Sequence, residues 1–197
     1  QLVTFSGTCT ISGASTTVFN DLTTSGTTAT TLSAADVTNI EVDDVLTISG
    51  TVSNGLVAGA GNTITIDGTW NNNNTTPANA FVNSGTSTVV FRGTGALAVP
   101  DVAETFDNLT LSLAGATSAQ ENYTVLDTLD ITTANYTDTA YTMTFGDGAD
   151  TTQNITSSAT STFYKITTDA SSTVTSTATY NLTNTFDVSI GTYTSTA

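Results

Sequence analysis

Apolar and polar residues alternate along much of the chain. The clearest runs are Thr63-Ile64-Thr65-Ile66-Asp67, Leu109-Thr110-Leu111-Ser112-Leu113, Tyr141-Thr142-Met143-Thr144-Phe145 and Phe186-Asp187-Val188-Ser189-Ile190. A period of two sends alternate side chains to opposite faces of an extended backbone. Threonine, the commonest partner in these runs, is β-branched and fits a strand better than a helix. Turn clusters such as Ser25-Gly26, Asn54-Gly55, Gly59-Ala60-Gly61-Asn62, Asp67-Gly68 and Gly146-Asp147-Gly148 punctuate them, because Gly and Asn accept the backbone angles of tight turns. Short strands with regular turns predict an all-β protein. The one helix candidate is Leu32-Ser33-Ala34-Ala35-Asp36.

A phenylalanine opens a similar phrase three times. These are Phe19-Asn20-Asp21-Leu22-Thr23-Thr24, Phe106-Asp107-Asn108-Leu109-Thr110-Leu111 and Phe163-Tyr164-Lys165-Ile166-Thr167-Thr168. Each is followed by a small-residue stretch and a further strand, as in Val45–Gly50 and Leu129–Thr132. The echo predicts a single elongated β domain of about three degenerate units, residues 1–87, 88–154 and 155–197. Such units stack, each burying its apolar face on the next. The expected fold is a parallel β-helix, or β-solenoid. The chain opens in the strand before the first phrase and its final strand reaches Ile190-Gly191-Thr192, so the solenoid is expected to stop within a unit. That would leave strand edges open at both tips, and open edges invite pairing with another copy. Leu2, Val3, Phe5 and Ile11 at one tip, and Phe186, Val188 and Ile190 at the other, are the strand residues expected to take part. Head-to-tail contacts that do not close make filaments; the alternative is that the chain is cut from a longer repeat protein.

Composition narrows the function. In 197 residues there are 17 acidic and two basic side chains (Arg92 and Lys165), for a net charge of -15, with no histidine and one cysteine. Without His there is no imidazole base, no Ser-His-Asp triad and no His-ligated metal. One Cys excludes an internal disulfide and a thiolate cluster; Cys9 reads as a small apolar residue or as one half of an intermolecular disulfide. Two cations cannot neutralise phosphates, so nucleic acid and anionic membranes are not expected partners. No apolar run is long enough to span a bilayer. Gln1 is not an initiator Met, so a processed or truncated product is expected. Scarce Lys and Arg leave trypsin-like proteases few sites, and Ser, Thr and Asn surfaces stay soluble without charge. Both suit a long extracellular life.

The phrase Phe106-x-Asn108-Leu109-Thr110-Leu111-Ser112, followed by Leu129-Asp130-Ile131-Thr132 and a strand closing on a Gly turn, resembles repeats of large bacterial and archaeal cell-surface proteins, the adhesin-like β-solenoids. The resemblance implies an extracellular, elongated parallel β-helix with a structural or adhesive role. In composition the chain is also similar to Thr-rich subunits of archaeal surface filaments. That likeness implies a different fold, a β-sandwich whose N-terminal strand, here Leu2–Phe5 through Thr10-Ile11, is donated to a neighbour. The functional expectation is a structural subunit of a filament, fibre or surface layer, with an adhesin or glycan-binding module as the alternative.

Candidate chemistry is sparse. Glycosylation sequons occur at Asn73, Asn74, Asn108, Asn122, Asn135, Asn154 and Asn181, acceptor sites in a secreted chain. Asn122 and Asn154, beside polar stretches, suit this best, while Asn108 is equally placed to bond backbone in a turn. Asp43 with Asp44, Asp127 with Asp130 and Asp147 with Asp150 are the acid pairs. Asp43 and Asp44, as neighbours on a strand, face opposite ways, and the cations that usually steady a substrate are nearly absent; no enzymatic activity is expected. No cofactor is expected either. Asp147 and Asp150, in Gly146-Asp147-Gly148-Ala149-Asp150, are the one calcium candidate, although the loop lacks the full EF-hand spacing. Trp70, ahead of Asn71–Asn74, reads as a core plug at a strand end with the Asn run as a loop, or else as a sugar-stacking platform. Tyr123, Tyr136, Tyr141 and Tyr164 read as strand packing.

Overall fold

The computed structural model describes residues 1–32, 38–51, 55–75, 80–83, 85–93, 98–99, 103–113, 118–119, 121–132, 136–146, 152–157, 160–168, 172–176, 180–187 and 191–195. Among them there is no helix, and every strand pair is parallel. Register partners lie one coil apart in sequence, from 19 residues (Leu2 to Asp21) to 26 (Thr128 to Asn154). The fold is a parallel β-solenoid. All-parallel pairing sets aside the sandwich alternative, whose sheets are built mainly of antiparallel strands.

Following the registers sorts the strands onto three faces, visited in a fixed order. Face 1 opens with β1 (Leu2–Phe5), face 2 with β2 (Cys9–Ile11). The strand β3 (Thr17–Thr24) turns a corner: its first half opens face 3 and its second half lies on β1. Face 2 continues through β4 (Thr30–Leu32), β6 (Leu56–Ala58) and β9 (Phe81–Asn83). The long β5 (Ile40–Gly50) covers faces 3 and 1, and pairs there with β7 (Thr63–Ile66) and β8 (Thr69–Asn74) respectively. Face 3 then runs through β10 (Thr88–Gly93) to the second half of β12 (Glu104–Leu113) and of β14 (Tyr123–Ile131). It goes on to β16 (Thr152–Ser157), β18 (Ser172–Ser176) and β20 (Gly191–Ser195). On face 1, the short β11 (Ala98–Val99) and β13 (Ser118–Ala119) pair with each other. The first halves of β12 and β14, then β15 (Thr142–Phe145), extend face 2. Finally β17 (Ser161–Thr168) and β19 (Tyr180–Asp187) each cover faces 1 and 2.

Alternation becomes stacking because parallel register puts like positions over like. On face 3 one inward column reads Ile40, Ile64, Val89, Leu109, Leu129, Ile155. Beside it runs Phe19, Val42, Ile66, Phe91, Leu111, Ile131. All are buried, and each such side chain is worth roughly 1.5–3 kcal/mol of transfer free energy. One part of the core is aromatic: Trp70 meets Phe81, Phe91 and Phe106 at ring-centroid distances of 5.0, 5.9 and 6.0 Å, with edge-to-face geometry favoured by the ring quadrupoles. Trp70 is therefore the plug that its sequence context suggests. The Asn run is not a loop. Asn71–Asn74 belong to β8, because Asn72 points inward and donates to the Glu104 carboxylate at 2.6 Å, with Trp70 Nε1 donating to the same oxygen at 3.4 Å.

The three Phe phrases share one local structure. In each, register slips just after the Phe: between Phe19 and Asp21, Phe106 and Asn108, Phe163 and Lys165. The next coil carries one extra residue there, a bulge that bends the strand around an edge of the solenoid. The Phe ends one face and the following Leu22, Leu109 or Ile166 starts the next, both inward. The corners differ: face 3 to 1 for Phe19, 2 to 3 for Phe106, 1 to 2 for Phe163. The phrase encodes a corner, and the structural repeat is the coil of 19–26 residues, shorter than any unit the phrases delimit. Other corners are set by backbone contact. A Cβ on Gly68 would overlap the Asp44 carbonyl one coil below, and Gly50, at φ +109°, sits against Gly26. Elsewhere Asn62 is fully buried, accepting from Gly59 N and donating to Thr38 O at 2.8 Å. Of the helix candidate, Leu32 ends β4 and residues 33–36 lie outside the described residues.

Candidate functional site

The outward surface repeats the columns of the interior in mostly polar residues. On face 3, Thr63, Thr88, Asn108, Thr128 and Asn154 stand over one another, with Thr65, Val90, Thr110, Asp130 and Thr156 alongside. Asp130 accepts from Thr156 across a rung at 2.5 Å, and Asp127 sits at the corner, accepting from Thr128 at 3.4 Å. The two acids are thus satisfied separately by neighbouring hydroxyls. Asp43 and Asp44 are exposed on a corner of β5.

One charged cluster lies on this surface. The carboxylates of Glu41, Asp43 and Asp67 come within 4.8 Å of one another. Arg92 spans two of them, with Nη2 2.6 Å from Glu41 and Nε 2.8 Å from Asp67. Its hydrogen bond to Asp67 pushes the guanidinium pKa further above its already high ordinary value. The arginine supplies the counter-charge for these acids, so the cluster reads as a surface ion-pair network. Asp147 and Asp150 lie outside the described residues.

The sequons fall in different environments. Asn73, Asn122 and Asn181 are exposed, and Asn122 accepts from Thr142 N through Oδ1 at 2.8 Å. Asn154 is half-buried in the face-3 column. Asn108 uses its side-chain amide to donate to Ser87 O at 3.1 Å, a backbone bond as expected, but made from β12 to the preceding coil and not within a turn. Asn74 points into the coil and is only 5% exposed, which leaves no outlet for a sugar on Nδ2 in the folded chain. Asn135 lies outside the described residues.

No family model, curated protein or solved structure matches the chain.

The tips carry the remaining feature. The large hydrophobic side chains that are exposed among the described residues are Leu2 (58%), Val18 (57%) and Leu182 (36%). Leu2 is on β1 and Val18 on the first half of β3, which together open faces 1 and 3; Leu182 is on β19, the last described strand of face 1. Leu182 extends the inward column of the buried Phe163. Val3 and Phe5, stacked on Leu22 and Thr24, are only half-buried, as are Tyr180 and Phe186 at the other tip. These are core positions with a coil on one side only. Ile11 is already buried, on a strand paired with β4, while Val188 and Ile190 lie outside the described residues. Sequence reasoning picked out Leu2, Val3, Phe5 and Phe186 but missed Val18, Tyr180 and Leu182. The signal for the last two was available: Tyr180-Asn181-Leu182 keeps the alternation of Ser161-Thr162-Phe163.

Cys9 is a free thiol, half-buried on β2 at the first tip, its Sγ 3.6 Å from Thr30 Oγ1 one coil inward. Tyr123 and Tyr136 pack inside the coil with their hydroxyls 2.8 Å apart, and burial pushes both phenols above the ordinary tyrosine range. Tyr141 and Tyr164 are half-buried.

Proposed function

We propose that this protein is a structural building block of an extracellular filament, fibre or surface layer, joined head to tail by strand pairing across its tips. The observation that carries the reading is that, among the described residues, the exposed large hydrophobics lie on the first and last strands of the stack, beside inward positions that only one coil covers. A polar Thr and Asn surface and a charge of -15 keep the flanks of such a block from adhering to one another, so association is directed to the tips. Covalent glycans on Asn73, Asn122 or Asn181 would add to that protection.

The test is the state of the purified 197-residue chain over a wide range of concentration, by analytical ultracentrifugation and negative-stain microscopy. Threads of constant width that lengthen with concentration are expected. A species that stays monomeric throughout overturns the reading.

A further inference from the structure

Among the described residues, the longest outward column that strand register links without a charge is on face 3. It runs Thr63, Thr88, Asn108, Thr128, Asn154 and Thr175, one residue from each of six successive strands. The residue after each of them is buried, so these side chains face outward, and each is part-exposed. Every one ends in a hydroxyl or an amide. No register shift falls within this face; the slip in β12 lies at the corner before Asn108. The column beside it holds Thr65, Thr110 and Thr156, with Val90 and Asp130 between them. We propose that face 3 binds the surface of ice, its threonine ladder acting as a template for ordered water. This goes beyond the building-block reading and does not depend on it.

Spacing carries the argument. Parallel pairing sets neighbouring rungs about 4.8 Å apart, and successive outward residues of one strand lie about 6.6 Å apart. The two repeats run at right angles, and both come close to the oxygen repeats on a prism face of hexagonal ice. Threonine suits such a template. Two heavy atoms on Cβ restrict χ1, so the hydroxyls are held in place beforehand and little side-chain freedom is lost on binding. One hydroxyl holds water weakly, but hydroxyls fixed at lattice spacing engage many lattice points at once. Charge, which would keep its own hydration shell, stays off the main column. The Glu41–Asp67–Arg92 network lies towards the early coils, and Asp130 is taken up by the Thr156 hydroxyl. Face 2 has a shorter ladder, Thr105, Thr124, Thr144 and Thr167, but it runs into Asp187 and lies beside Lys165. Those ions set the choice of face 3.

The test is the growth of single ice crystals in a solution of the purified 197-residue chain, followed by nanolitre osmometry. Faceted crystals and a gap between the melting and freezing temperatures are expected. Thr128→Lys, in the middle of the ladder, should abolish the gap, and Thr88→Lys should do the same from a different coil. Thr144→Lys, on face 2, should leave it unchanged. Circular dichroism and the melting temperature of each variant show whether the fold is kept, so that a loss of the gap is read only from folded protein. A wild-type chain that leaves ice growth unaltered overturns the proposal. So does a gap that survives in either folded face-3 variant, or one that disappears equally in Thr144→Lys. None of these outcomes bears on whether copies assemble, so the building-block reading stands or falls separately.

Discussion

The middle coils and the last coils are built to the same plan and filled differently. Around β7, β10 and β12 the inward columns are Ile, Val, Leu and Phe, and the polar groups that turn inward are partnered. Asn62 bonds two backbone groups, Asn72 and Trp70 share Glu104, and Asp107 accepts from Ser87 N and Oγ at 3.1 and 2.7 Å. Towards β16 and β18 the columns turn polar: Ile155 is followed by Ser176, and Phe145 by Thr168. There Gln153 is fully buried with neither amide atom bonded, and Asp138 Oδ2, Thr167 Oγ1 and Thr168 Oγ1 are buried without a partner. Each unmet group costs about 1–3 kcal/mol. A shared backbone ladder therefore does not confer uniform stability; what stands inside each rung does.

The comparison can be broken most forcefully at the aromatic centre. Phe106→Ala should cost about 3–5 kcal/mol, because it empties the contact with Trp70, Phe81 and Phe91. The half-buried Phe186→Ala should cost well under half of that in the monomer. Equal shifts of the denaturation midpoint would show that the two regions are not distinct. Gln153→Leu should act in the opposite direction and stabilise by roughly 1–3 kcal/mol, since it removes two unmet polar atoms. Asn72→Leu, the matching change in the middle, should destabilise, because it takes a donor from the buried Glu104. If both Leu variants moved the midpoint the same way, the distinction between satisfied and unsatisfied interiors would fall.

Alkali probes the Tyr123–Tyr136 pair between these regions. Both phenols are held neutral in the fold above the pH at which they ionise when unfolded. The unfolded chain therefore binds fewer protons than the native one once pH passes about 10. Their contribution is whole below that pH and is lost as pH rises beyond it. Tyr136→Phe should flatten the alkaline decline in melting temperature; an unchanged slope would exclude the pair as its cause. The smallest effect belongs to the surface network. Arg92→Ala should cost less than about 1 kcal/mol, and the difference should shrink in high salt, since the arginine side chain is nearly half exposed. A larger loss measured by chemical denaturation would mean the ion pairs also fix the corner that β5 and β7 share.

Much of the fold was legible in residue order because the cause is local. Alternation at Thr63–Ile66 and at Leu109–Leu113 dictates which side chains share a face of a strand, and a burial so patterned has one satisfactory register. The Phe phrases were legible as a recurrence. Their meaning was not, since a one-residue bulge is defined against the neighbouring coil, some 20 residues away. The candidate tips were half legible for the same reason: Phe5 and Phe186 announce themselves by type, whereas Leu182 matters through what does not cover it. Asn74 shows the converse, a sequon by spelling and a core residue by position.

By itself the sequence determined most of the strands, their inward and outward sides, the scarcity of basic residues and the polar dress of the surface, all properties of single residues or close neighbours. Only the tertiary structure decided the three faces, the coil length, which corner each Phe turns, and the pairing of Glu104 with Trp70 and Asn72. Those depend on residues brought together from successive coils, and the free energy that selects them appears only when one rung is laid on another.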